Sequence, residues 1–187
     1  MNDPPDPPRA ALANVLGALA LVVSDETGRA VRAAAGVDST SVTDAAALSA
    51  LAQFLDGATV DRVHAVLGVT PSGAVRLVDR LAAAGLVTRG PGSDGRSRAI
   101  RLTDAGRDRA RAVGAARSTY LDGLLADLSP DEVDDLHRML GVVMSRVVAA
   151  KDGGAWTCRL CDLVACGRED GRCPAANAAR ARYGEPE

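Results

Sequence analysis

The sequence predicts a mainly α-helical fold interrupted by one short β-hairpin. Three observations predict it. Small helix formers fill the 187-residue chain while runs of β-branched residues are few. Apolar residues recur by threes and fours between hydroxyl-bearing caps. A single dense cluster of turn residues, Gly90-Pro91-Gly92-Ser93-Asp94-Gly95, lies between two short extended runs. Hydrophobic residues make up 47% and charged residues 25%, a globular balance, but aromatics are only 2%, so the core must rest on Ala, Leu and Val.

Residues 1–8 are rich in Pro and Asp and are expected to be disordered. Leu12, Val15, Leu16, Leu19, Val22 and Val23, continued by Ala30, Val31 and Ala34, form a broad apolar face on one long helix that Gly36 ends. Its start, Ala10 to Val23, superficially resembles a signal-peptide core. The flanking Asp3, Asp6 and Ser24-Asp25-Glu26 argue against that, and the run is short for a bilayer, so a buried helix is expected. The expected location is cytoplasmic and nucleoid-associated, with no membrane partner, in a compartment where thiols stay reduced. Thr43 is the expected N-cap of a second helix through Leu48, Leu51 and Leu55 to Gly57.

Thr59 caps a short third helix, Val60 to Leu67, which Gly68 closes. Thr70 then caps a fourth, with Pro71 at the first position, where a missing N–H does no harm. Helix, tight Gly turn, helix is the helix-turn-helix pattern. Leu86 to Arg89 and Arg98 to Leu102 read as two strands, and a hairpin in this place is a wing. Thr103 caps a long fifth helix to about Asp127. Ser129-Pro130-Asp131-Glu132 is a capping box opening a sixth, in which Val133, Leu136, Leu140, Val143 and Val147 make a seam suited to another helix. The expected architecture is therefore a winged helix-turn-helix with long N- and C-terminal dimerisation helices. Its parts are a disordered 1–8, an N-terminal dimerisation helix and connection over 9–42, the DNA-binding domain over 43–102, C-terminal dimerisation helices over 103–152, and a Cys-rich tail over 153–187.

Two segments carry a family resemblance. Asp94-Gly95-Arg96-Ser97-Arg98-Ala99-Ile100-Arg101-Leu102-Thr103-Asp104-Ala105-Gly106 resembles the wing signature of the MarR family of bacterial regulators. Val75-Arg76-Leu77-Val78-Asp79-Arg80-Leu81, followed by Ala84-Gly85-Leu86-Val87, resembles the end of that family's recognition helix. The resemblance spans about Ala11 to Val148. It implies a transcription regulator, dimerised through its terminal helices, in which Asp94 and Arg96 are the working pair of the wing. It also implies a small apolar or phenolic effector, for which no pocket can be placed from the residues. Phe54, Tyr120 and Trp156 are nearly all the aromatics, and His64 and His137 suit packing or surface roles.

Charge distribution supports a duplex-DNA partner. The whole chain is −2, yet between Asp61 and Arg111 ten arginines face five aspartates, a balance of +5. The N-terminal part of the second helix of a helix-turn-helix meets base edges in the major groove. With its apolar side inward, Ser72, Gly73, Arg76 and Arg80 point out. Arg76 is the candidate base reader, because a guanidinium bonds guanine in bidentate fashion. Thr70 and Ser72, at the helix N-terminus, suit phosphate. Arg96, at the tip of a slim wing, suits a narrow minor groove, with Asp94 beside it to orient it, and Arg98 suits phosphate. Each of these alone would be an ordinary solvated residue; the adjacent wing tips the balance. One helix-turn-helix reads a half-site, so a homodimer on a palindromic operator follows. A repressor is expected. No enzyme is expected, since the chain shows no nucleophile–base arrangement, phosphate loop or paired catalytic carboxylates.

Cys158, Cys161, Cys166 and Cys173 follow a C-x2-C-x4-C-x6-C spacing, with Pro174 after the last. Four close thiols in a reducing compartment point to metal. A structural Zn²⁺ in a closed Cys₄ shell is the favoured reading. A [4Fe-4S] cluster, which would make the protein a redox or iron sensor, is the alternative. Arg159, Arg168 and Arg172 would offset the charge of either. A thiol switch at Cys158-x-x-Cys161, or a thiol-redox protein built on that pair, is the third reading, weakened by the lack of a βαβ setting. A winged helix kept as a non-DNA interaction module is also open, because fold does not prove function.

Overall fold

The computed structural model describes residues 7–36, 41–92, 98–150 and 156–184. Seven helices and one hairpin follow in order: α1 Pro7–Ala35, α2 Val42–Gln53, α3 Val60–Leu67, α4 Pro71–Ala83, β1 Val87–Pro91, β2 Arg98–Leu102, α5 Asp104–Leu125, α6 Pro130–Ala149 and α7 Pro174–Tyr183. The mainly helical, winged architecture is as expected. The reading of residues 1–8 falls, for 1–6, outside the described residues.

Local chemistry sets most boundaries. Thr59, Thr70 and Thr103 each accept, through the side-chain oxygen, the N–H three residues on, which satisfies one of the free donors at a helix start. Ser129 and Glu132 form a reciprocal capping box at the start of α6. Its hydrogen bonds from Ser129 hold the Glu132 carboxyl below the usual carboxylate range. The cap of α2 differs from the expectation: it is Ser41, two residues before Thr43. Ser41 places Asp44 at the third helical position, where the carboxylate takes the Ser41 N–H at 3.1 Å while Ser41 Oγ takes the Asp44 N–H at 3.1 Å. Thr43 offers no such return bond and lies inside the helix.

The main core is small-residue packing. Val31 and Ala35 of α1, Ala45, Ala46, Ala47, Leu48 and Leu51 of α2, Leu77, Val78 and Leu81 of α4, Ile100 of β2 and Val113 of α5 are buried together. The wing joins this core at both edges. β1 and β2 pair antiparallel with Val87 opposite Leu102 and Arg89 opposite Ile100. On the other edge of β2, the Gly57 N–H donates to Ile100 O and the Ile100 N–H to Ala58 O, both at 2.9 Å. Gly57 and Ala58, in the link between α2 and α3, thus pair with the outer edge of β2.

α5 starts hard against the wing. The Thr103 N–H donates to Leu86 O at 3.0 Å and Thr103 Oγ1 to Gly85 O at 2.7 Å. A Cβ on Gly106 would collide with the Leu86 carbonyl oxygen, so this residue is Gly because the helix backbone passes directly over Leu86, the residue before β1.

α1 and the tail depart from expectation. α1 is not buried within one chain: Leu12, Val15, Leu16, Leu19, Leu21 and Val22 are 41–71% exposed, and only its C-terminal end enters the core. Nor is it short for a bilayer, since residues 8–35 are long and apolar enough to cross one by length and composition alone. The Cys-rich tail also holds a helix that its sequence does not announce. Cys173 is the N-cap of α7, Pro174 takes its first position, and α7 packs on α6. Pro174 has its place there as a helix starter.

Candidate nucleic-acid interface and thiol cluster

α4 turns Ala74, Leu77, Val78 and Leu81 into the core. Ser72, Arg76 and Arg80, four residues apart, are exposed along the opposite side, and Gly73 is half-buried beside them. At the helix start Thr70 Oγ1 takes the Gly73 N–H at 3.1 Å and lies 3.3 Å from Ser72 Oγ. Pro71 has no N–H, so the first turn presents a hydroxyl pair and few donors of its own. Among the described residues Arg76 makes no ion pair, which leaves its guanidinium available to a partner.

Arg80 is placed differently. One of its nitrogens is 2.6 Å from Asp44 Oδ1, and the Asp44 side chain is only 2% exposed against 42% for Arg80. The carboxylate that caps α2 therefore also anchors α4, thirty-six residues away. Sequence reasoning assigned Arg80 an outward role alone, because nothing local marks a pair at that separation. Beside it, Arg89 of β1 pairs with Asp79 of α4 at 2.7 Å, tying wing to recognition helix. Arg98 is exposed at the start of β2, opposite Pro91. Asp94 and Arg96, assigned to the wing tip, lie outside the described residues.

The four cysteines are unpaired as thiols and fall into two pairs. Cys158 and Cys161 close one turn, in which the Cys161 N–H donates to Cys158 O at 3.0 Å, and Cys166 packs on the cluster that buries Cys173. Within the first pair the neighbouring thiol acts in opposite senses. It lowers the Cys161 thiol to about 6, helped by Arg117, Arg159 and Arg168, and it raises Cys158, helped by burial. Burial, then the charge of Cys173, raises Cys166. Arg168 Nη1 donates to Cys158 Sγ at 3.5 Å, and the Ala176 N–H to Cys173 Sγ at 3.5 Å. As the side chains stand, no three Cys, His, Asp or Glu among the described residues close around a single point that could hold an ion.

Of the arginines expected to offset thiolate charge, Arg168 does so directly. Arg159 donates to Trp156 O at 2.6 Å and lies over that indole, and Arg172 pairs with Asp170. Two residues that sequence reasoning missed meet the tail from the surface of the winged helix: Arg117 of α5, and Gln53 of α2, whose Oε1 accepts the Leu163 N–H at 3.3 Å. A cleft of about 290 Å³ opens there, with Gln53, Ala110, Arg117, Leu160 and Cys161 in its wall.

Residues 36–97 match the sequence model of the MarR family. No curated protein matches the chain. Among solved structures, the chain is similar to the YusO protein from Bacillus subtilis, at 20% identity and a TM-score of 0.62, covering 75% of this chain and 97% of that one. It is similar to RV1404 from Mycobacterium tuberculosis at 24% identity and 0.61, covering 76% and 95%. It is also similar to the apo form of MarR from E. coli at 25% identity and 0.54, covering 68% and 96%. In each comparison nearly all of the other protein is covered, and a quarter to a third of this chain is left over.

Proposed function

We propose that the chain, whose residues 36–97 match the MarR family model and whose fold is that of winged-helix regulators, is a cytoplasmic, nucleoid-associated repressor that holds a palindromic operator as a homodimer. The observation that carries this reading is the outward side of α4: Thr70, Ser72 and Arg76 in line, Arg76 without an ion pair among the described residues, beside a hairpin locked to the same helix by Arg89–Asp79. Arg76 would read a base edge and Thr70 and Ser72 would take phosphate. Arg96 and Asp94 at the wing tip would work in the minor groove, with Arg98 on the backbone. Arg80 serves α4 first as an anchor and offers the duplex only its unpaired nitrogens.

The test is titration of duplex operator at several salt concentrations. Arg76→Ala should weaken binding by ~1–3 kcal/mol and relax sequence preference, while loss of a phosphate contact should reduce the salt slope by about one. Arg96→Ala should weaken binding by a similar ~1–3 kcal/mol. Unchanged affinity at fixed salt removes the residue from the interface.

Pairing of subunits is supported by apolar surface that one chain leaves uncovered: Leu12, Leu16 and Leu19 on α1, and Leu140, Val143 and Val147 on α6. Sedimentation at micromolar concentration should give a dimer, and Leu140→Asp together with Leu19→Asp should shift it toward monomer. A wild-type monomer would contradict the reading.

For the tail, the proposal is a metal site formed by Cys158, Cys161, Cys166 and Cys173, with Zn²⁺ favoured by the all-thiolate donor set. What supports it is four free thiols within sixteen residues, with an arginine on one sulfur. A colourless protein with about one zinc per chain fits a closed Cys₄ shell. A brown one with iron and acid-labile sulfide replaces zinc by a [4Fe-4S] cluster.

A further inference from the structure

The cleft of about 290 Å³ between the winged helix and the tail exists because the tail lies across a stretch of small residues. α5 contributes Ala110, Gly114 and Ala115, and α2 contributes Ala52. A Cβ added to Gly114 would touch nothing within 4 Å. The tail's Leu160, packed on the main core, completes the wall. That part of the wall lies past Val148, where the family resemblance ends. The space is at the small end for a ligand pocket and has room for about ten water-sized groups.

The polar groups of the cleft are mostly cationic or donors. Arg117 is half-buried in the wall and pairs with no carboxylate among the described residues. Its charge acts on Cys161 across the cleft, as do those of Arg159 and Arg168, so one sulfur faces three guanidinium groups. Arg111 adds another, paired with Asp108. Asp162 is the one carboxylate among the described residues of the wall, and its Oδ1 already accepts the N–H groups of Val164 and Ala165 at 2.9 and 3.0 Å. Gln53 gives its Oε1 to the Leu163 N–H, which leaves its amide N–H groups as donors. Ser49 and Ser118 add hydroxyls. No aromatic side chain among the described residues lines the cleft, and Leu160 is its one large apolar residue. A phenolic or other apolar ligand would find little here to pack on. A guanidinium beside amide and hydroxyl donors is instead the chemistry that holds carboxylate or phosphate oxygens. We propose that this cleft is a binding site for a compact hydrophilic organic anion, whose carboxylate or phosphate head sits on Arg117 and whose body bridges α5 and the tail at Leu160 and Cys161. No ion at the cysteines and no contact with DNA is needed for this.

The experiment titrates the full, reduced chain at fixed ionic strength with succinate, glycerol 3-phosphate, neutral succinamide and benzoate, read by calorimetry and thermal melting. Succinate, glycerol 3-phosphate or both should bind saturably with a Kd below about 1 mM and raise the melting temperature. Whichever binds more tightly identifies the head group. The bound anion should also slow hydrogen exchange at the Leu160 and Cys161 amides, because it ties the tail to α5. Succinamide, without the charge, should bind about tenfold more weakly or worse. Arg117→Gln should weaken the anion by about tenfold or more. Gly114→Leu keeps every charge and fills the space, and should do the same. Arg138→Ala, at an exposed arginine of α6, should leave binding unchanged. Loss of binding in a Gly114→Leu protein that melts like wild type supports the site even if Arg117→Gln disturbs the tail. No saturable binding of either anion overturns the site, as does binding that Gly114→Leu leaves intact. Benzoate binding more tightly than both compact anions overturns the ligand class.

Discussion

Gly106→Ala is expected to destabilise the protein by about 3 kcal/mol, the upper range for forcing a methyl into a packed contact. The new Cβ would meet the Leu86 carbonyl oxygen, backbone against backbone, with Leu102 closing the space beside it. Neither neighbour yields easily. Leu86 O already accepts the Thr103 N–H, and Thr103 is the cap that starts α5. Relief would require lifting α5 off the hairpin and breaking that bond and the one to Gly85 O. For a chain of this size the loss corresponds to a melting temperature lower by roughly 6–12 °C. Thermal melts monitored by circular dichroism check it. Gly114→Ala is the control, being on the same helix with open space around it; it should be neutral or slightly stabilising. If both variants melt alike, the close approach of α5 to Leu86 is not what selects glycine.

Arg80→Ala is expected to cost about 2–3 kcal/mol, a figure below that for a fully buried ion pair because the guanidinium is 42% exposed. The larger part of the loss comes from Asp44, whose buried carboxylate would keep only its cap bonds. That origin predicts a specific rescue. In Asp44→Asn the charge is gone while an amide oxygen can still accept the Ser41 N–H, so Arg80→Ala added to it should cost under about 1 kcal/mol. Denaturant unfolding of the two single variants and the double gives the coupling energy. Additive losses would mean that the pair does not anchor α4. Because Arg80 also faces the proposed DNA surface, its operator affinity is informative only beside the stability values.

How much was readable before folding depends on range. Thr59, Thr70, Thr103 and Ser129 announced their helices because a cap is decided within four residues. At Ser41 and Thr43 two hydroxyl caps compete, and the winner is decided by which one sees Asp44 at the third helical position. The edge pairing of Gly57 and Ala58 with Ile100 was invisible, since two residues are too few to show alternation. α7 was missed because alanine and arginine without larger apolar residues leave no stripe. On the binding surface, the outward line of Ser72 and Arg76 followed from the helical period. The commitments of Arg80 to Asp44, and of Gln53 and Arg117 to the tail, join residues far apart in the chain. Charge complementarity alone offers too many candidate partners to choose among.

The uncovered flank of α1 also bears on how the amount of working regulator follows its synthesis. A single subunit carries Leu12, Val15, Leu19 and Leu21 in water, a surface of the kind chaperones and proteases select. Under the proposed pairing, assembly hides it, and a bound partner protects the fold by mass action. Paired subunits then increase with the square of the free ones while unpaired ones are cleared. Occupancy of an operator would rise more steeply than expression, giving a threshold before any effector or metal acts.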